Sequence, residues 1–238
     1  MIAEHFEIDE AQARPLAEKL FLKAAGFDLE GKEKHQRMYA EALTVREEGL
    51  GGIQIQGSHV WLGPDAFDGT AVRVDGDAME ATAFVRIPPE KVHGVVLYVV
   101  TAGECSFDDE DNVVRQLYAY MWGTAYVDAG RILMEGLFAK EMPARTGSAS
   151  CRLSPGFSPG FYGMPNQDSI PIVRHAGGKE LGVRCTESGV MVPLKTCSGI
   201  FLLADADADF PGEECLVCTS SRGGCSSCMV ANRNALNV

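Results

Sequence analysis

The chain is poor in positive charge. Its 21 lysines and arginines stand against 33 aspartates and glutamates, giving a formal net charge of −12 and a pI near 4.9. No basic cluster is dense enough to outweigh that field, which excludes nucleic acid and anionic lipid as partners and leaves a protein or a small molecule. Long apolar runs are missing too, and none of those present could span a bilayer. The first residues, Met1-Ile2-Ala3-Glu4-His5-Phe6-Glu7, lack the basic and apolar regions of a signal peptide, so the expected location is cytoplasmic. An evenly spaced cysteine framework is also absent. Four of the eight cysteines are scattered and four are bunched near the end, which argues against a secreted disulfide scaffold.

What is present fits one large domain over residues 1–210 with a short Cys-rich appendage over 211–238. Charges interleaved with Leu16, Leu20 and Leu22, and then with Met38, Ala42 and Leu43, predict amphipathic helices over 10–25 and 33–48. The β-branched stretches 53–62 and 81–87 predict strands, with His59 and Trp61 packing on a sheet face. Residues 92–101 form a near-continuous apolar run, as expected of a central strand covered on both faces, and His93 on it reads as structural. Asp108 to Asp111 place acids where a helix macrodipole favours them, and a helix is expected from there to about Lys140. Its apolar stripe runs through Val114, Tyr118, Met121, Ala125 and Ile132. Asp128 and Glu135 fall on or beside that stripe, either paired structurally or aimed at a cationic ligand. Gly123 and Gly130 predict either a close neighbour or a break in this helix. A long loop over 143–165, a short helix over 166–175 and strands at 181–185, 190–192 and 198–203 complete the pattern. The alternating Ala and Asp of 204–209 reads as an exposed edge or loop.

The densest polar chemistry lies in two stretches. Arg152-Leu153-Ser154-Pro155-Gly156-Phe157 sets an arginine beside a tight turn, and a guanidinium there can grip the carboxylate of a small anionic or zwitterionic ligand. Thr186-Glu187-Ser188 puts a carboxylate between two hydroxyls amid apolar segments, which predicts that at least one polar group faces inward or into a cleft.

The run Arg152-x-Ser-Pro-Gly-Phe157, then Thr186-Glu-Ser188, Met191-x-Pro193 and Ser198-Gly199, resembles the activation (reactivation) domain of cobalamin-dependent methionine synthase. Tyr98 to Gly103 and the Gly123-Thr124 helix with Asp128 resemble the same family's upstream pattern, so the likeness spans roughly residues 90 to 205. It implies an α+β fold, a C-shaped domain with a twisted antiparallel sheet and flanking helices. It also implies binding of S-adenosylmethionine and docking over a corrinoid, where reductive methylation rescues inactive cobalt. Under the resemblance Arg152 holds the methionine carboxylate, Ser154, Pro155 and Gly156 form the contacting turn, Phe157 packs near the ligand, and Asp128 meets the amino group. Glu187 supports the turn and the strand ending at Gly199. Family members often carry tyrosine at the Phe157 position and glutamate at the Asp128 position. The folate, homocysteine and cobalamin modules of methionine synthase have no counterpart here. The implied partner is therefore a corrinoid protein or methionine synthase core met in trans, with an electron donor such as flavodoxin or ferredoxin.

Near the end, Cys215-x-x-Cys218 and Cys225-x-x-Cys228 bring four thiols into one short segment, as a tetrahedral zinc or an iron–sulfur cluster requires. The spacing around Gly223-Gly224 favours zinc, whereas a reductive partner reaction favours iron–sulfur. Cys105, Cys151, Cys185 and Cys197 read as small buried apolar residues.

Overall fold

The computed structural model describes residues 2–49, 53–103, 112–146 and 150–210. Five strands form an antiparallel sheet: β1 (Glu4–Ile8), β2 (Ile55–Leu62), β5 (Val92–Thr101), β9 (Thr196–Asp205) and β6 (Cys151–Leu153), side by side in that order. Two small hairpins lie outside it, β3 (Ala71–Val74) with β4 (Asp77–Glu80) and β7 (Arg184–Cys185) with β8 (Met191–Val192). The helices are α1 (Glu10–Ala25), α2 (Glu33–Gly49), α3 (Val113–Thr146) and α4 (Ser169–His175). This is the α+β architecture expected, a twisted antiparallel sheet with flanking helices. Among the described residues no helix is long and apolar enough to cross a membrane.

The sheet separates two cores. Val96, Tyr98 and Val100 of β5 and Phe201 and Leu203 of β9 face α1, α2 and α3. Val95, Leu97 and Val99, with Ile200, Leu202 and Ala204, face α4 and the β3–β4 hairpin. Because both central strands are buried on both faces, they read as unbroken apolar runs. On the helical side Phe21 stacks on Trp122 at 4.0 Å, and the Trp122 indole donates to the Ala42 carbonyl at 2.8 Å. Each such aromatic, once buried, stabilises the fold by about 2–3 kcal/mol. Helix α1 begins where the Asp9 carboxylate accepts from the Ala11 N–H and ends at Gly26 in the left-handed region.

Several expectations need correction. Strand β1 was not anticipated. Residues 82–86 form a 3₁₀ turn rather than a strand, because Ala83, Phe84 and Ile87 point inward while Val85 is exposed, a spacing near three rather than two. Helix α3 continues through Pro143 to Thr146, and the stretch taken for loop contains β6. The buried stripe of α3 passes through Tyr118, Trp122, Tyr126, Ala129 and Phe138, leaving Val114 exposed. Gly130 marks a close approach, not a break, since a Cβ there would stand 2.5 Å from Ile55 Cγ2. The Ala-Asp alternation is not a free edge. Ala204 and Ala208 are buried, and the aspartates form a ladder of ion pairs: His93 with Asp205 at 2.7 Å, Lys91 with Asp207 at 3.0 Å and Arg86 with Asp209 at 3.2 Å. Asp108 to Asp111, Cys105 and the four-cysteine tail lie outside the described residues.

Candidate functional site

The outer edge of β9 is covered only in part. β6 pairs with its far end through Arg152 and Leu153. Ser154 then takes over: its N–H donates to the Leu202 carbonyl at 2.8 Å and its Oγ accepts from the Leu202 N–H at 2.9 Å. Phe157 and Ile200 exchange backbone bonds at 2.9 and 2.8 Å, and among the described residues the pairing stops there. The loop can lie this close only because residue 199 is glycine. A Cβ there would stand 2.6 Å from the Phe157 carbonyl oxygen and 2.8 Å from the Tyr98 hydroxyl. The alternation of an antiparallel strand puts the backbone groups of Ser198 and Thr196 on the same edge, beyond the last paired residue.

A cavity of about 300 Å³ opens at that point, at the lower end of the range for small-molecule sites. It wraps around the sheet edge. From the α3 side it receives Thr124, Asp128 and Arg131; from the loop, Pro155, Gly156, Ser158, Pro159, Phe161 and Tyr162; and from β8 and β9, Met191 and Thr196 to Ser198. Tyr162 is buried at φ 55, a left-handed conformation, and its carbonyl accepts from Thr82 Oγ1 at 3.0 Å. Strained backbone of this kind concentrates at ligand sites.

The polar groups in the wall are unevenly satisfied. Arg131 is 7% exposed; its Nη1 donates to Glu135 at 3.3 Å, but its buried Nε has no hydrogen-bond partner among the described residues. Ser198 is 1% exposed and its Oγ likewise has no partner among the described residues. A buried donor left unpaired costs about 1–3 kcal/mol, which a bound polar ligand would relieve. Burial raises the Asp128 carboxyl from 3.8 to about 6, against the opposing pull of Arg131 and Lys195. The Lys195 ammonium donates to Thr124 Oγ1 at 2.9 Å and lies over the Tyr120 ring. Burial pushes the Cys197 thiol up to about 12, with Arg131 opposing and Asp128 reinforcing.

Of the residues singled out from sequence, Asp128, Pro155 and Gly156 meet in this cavity. Ser154 and Phe157 form the layer behind it. Ser154 is fully buried, and Phe157 packs edge-on against Phe84 at 4.8 Å and against the cavity residue Tyr162 at 5.1 Å. Arg152 is not part of the lining. Its Nη2 donates to the Ala208 carbonyl at 2.6 Å and its guanidinium covers the Phe210 ring at 4.6 Å. Glu187 is exposed in the β7–β8 turn, as are Thr186 and Ser188; Ser188 lines a second cleft together with Pro159, Asn166 and Ser169, while Glu187 lines neither that cleft nor the cavity. The turn is held by Thr186, whose N–H donates to the Val190 carbonyl and whose Oγ1 accepts from the Val190 N–H, at 2.9 and 3.1 Å. Arg131 is the residue sequence reasoning passed over. Its signal was its position three residues beyond Asp128, on the same helix face.

No family model matches the chain, and no curated protein does. Among solved structures, the MetH reactivation domain bound to AdoHcy superposes with a TM-score of 0.59, covering 88% of this chain and 80% of that one. The fold is similar to that of the MetH reactivation domain. The identity is 13%, so the likeness to MetH is one of fold.

Proposed function

We propose that this protein binds S-adenosylmethionine in the cavity at the β9 edge and acts in trans to reactivate a corrinoid protein. The observation that carries this reading is one cavity, in a fold similar to the MetH reactivation domain, holding a largely buried carboxylate, a buried guanidinium whose Nε has no partner among the described residues, and a hydroxyl likewise without one. S-adenosylmethionine carries an ammonium, a carboxylate and a sulfonium. Asp128 complements the ammonium, Arg131 and Ser198 the carboxylate, and the free β9 edge offers backbone partners. The likeness is to a structure bound to AdoHcy, the demethylated form of that ligand.

In this reading the bound ligand supplies a methyl group to reduced cobalt on the partner. The chain's own task is to bind, orient and exclude water. Asp128 fixes the amino end in its charged form. Arg131, anchored by Glu135, presents its Nε to the carboxylate. Phe161, Tyr162 and Met191 form apolar walls that shield the sulfonium. Arg152 holds the loop by tying β6 to the Ala208–Phe210 segment. Electrons come from a separate donor, and the cysteines at 215, 218, 225 and 228 would hold zinc or an iron–sulfur cluster.

Calorimetric titration with S-adenosylmethionine tests the reading. Arg131→Gln should weaken binding about 10- to 100-fold, as loss of a charge-assisted hydrogen bond predicts. Arg152→Ala should weaken it less. Absence of heat with the parent protein would sink the proposal, and the reverse order of the two variants would return the carboxylate grip to Arg152.

A further inference from the structure

At the opposite end of β9 from the cavity, His93, Cys151 and Asp205 meet on three adjacent strands. The geometry points to a binding site for a borderline divalent metal ion of the zinc class, held by His93 Nε2, Cys151 Sγ and an Asp205 carboxylate oxygen. One ligand atom from each of the three lies within 4.8 Å of the other two.

Two features of the backbone make the cluster. Cys151 and Asp205 are directly opposite in the β6–β9 register, while the ladder bond beside them runs from the Ala206 N–H to the Ser150 carbonyl at 3.1 Å. They therefore form a non-hydrogen-bonded pair, the arrangement that brings facing side chains closest. His93 is the extra residue of a β-bulge: Val92 pairs with Ala204 and Gly94 with Leu203. Bulges re-aim a side chain, and here the imidazole reaches Asp205 at 2.7 Å. An ion-pair ladder with Lys91 and Arg86 accounts for His93 beside Asp205, but not for the thiol brought to the same point.

The donor set is chemically coherent. Imidazole, thiolate and carboxylate are the three ligand types of zinc, and three protein ligands leave one position open. That position faces solvent, since the His93 and Asp205 side chains are 35% and 41% exposed while Cys151 is buried. Spreading the nitrogen–oxygen distance from 2.7 Å to about 3.3 Å would admit an ion at ordinary bond lengths, a small rotation of two side chains. A comparable cluster of Glu4, His59 and Glu141 is less suited, because Arg145 already pairs with Glu4 at 2.7 Å and Glu141 at 3.9 Å.

The test uses the full chain with Cys215, Cys218, Cys225 and Cys228 changed to serine, titrated anaerobically with cobalt(II). One equivalent should bind and give a near-ultraviolet thiolate-to-cobalt band, displaced by zinc. His93→Gln and Asp205→Asn, both at partly exposed positions, should each weaken binding about tenfold or more, and Cys151→Ser should remove the band. No thiolate band in the parent would overturn the proposal. So would a band unchanged in His93→Gln, or one that survives Cys151→Ser.

Discussion

Asp128 is a carboxyl held in a place that disfavours its charge, so its replacement by asparagine should have two separable effects. Burial raises it from 3.8 to about 6. Between those values the folded protein binds the proton more than the unfolded chain does. Its contribution is therefore fully present below about pH 4 and is lost as pH rises through 6. At about 1.4 kcal/mol per tenfold change in ionisation, the full penalty at neutral pH is about 3 kcal/mol. Asp128 is partly exposed to the cavity, so screening reduces this to about 1–2 kcal/mol. Urea unfolding of parent and Asp128→Asn at pH 4, 6 and 8 should show a difference near zero at pH 4 that grows to about 1–2 kcal/mol in favour of the variant at pH 8. Affinity for S-adenosylmethionine should move the opposite way. In the parent it should rise with pH through about 6 as the carboxylate ionises, and in the variant it should be weaker by about tenfold or more and independent of pH. Parallel stability curves would refute the buried charge. Unchanged affinity would remove Asp128 from the ligand.

His59 should show the reverse pH sign. Burial lowers it from 6.5 to about 4, so its contribution is lost as pH falls through that window, and His59→Phe should be more stable than the parent by about 2 kcal/mol at pH 5 and near equal at pH 8. Because the Asp128 and His59 slopes oppose each other, the readout is the difference between variant and parent at each pH. Gly199→Ala should destabilise by about 1–3 kcal/mol and weaken ligand binding, since the added carbon meets the Phe157 carbonyl; a thermal melt unchanged within error would contradict the close approach. Phe21→Ala should cost about 3–5 kcal/mol in urea unfolding by opening a hole beside Trp122.

Legibility from sequence followed how local each cause was. Helix α1 carries its own cap and periodicity, and β5 is apolar at almost every position, so both were readable with their limits. Strand β1 is not, because Glu4 to Ile8 is a short edge strand whose reason lies in its partner: Phe6 fills the space above Gly57 on β2. The site divides similarly. Asp128 stood out as a carboxylate on an apolar face, and Pro155-Gly156 as a turn. Arg152 looked like the grip because it adjoins that turn, but alternation along β6 and the bond to Ala208 take its guanidinium elsewhere. Arg131 reads in sequence as an ordinary i,i+4 partner of Glu135. Only the packing of α3 over the β9 edge reveals its unsatisfied nitrogen.

Cys197 gives the cavity wall a property beyond shape. A sulfonium methyl donor alkylates thiolates, and Cys197 lines the space where such a donor would sit under the proposed function. With burial pushing its ionisation up to about 12, the thiol stays protonated at neutral pH, so under the proposed function the wall would be inert toward the methyl donor. A substitution that wets this corner would turn Cys197 into a suicide acceptor, detectable as a gain of one methyl mass on incubation with S-adenosylmethionine.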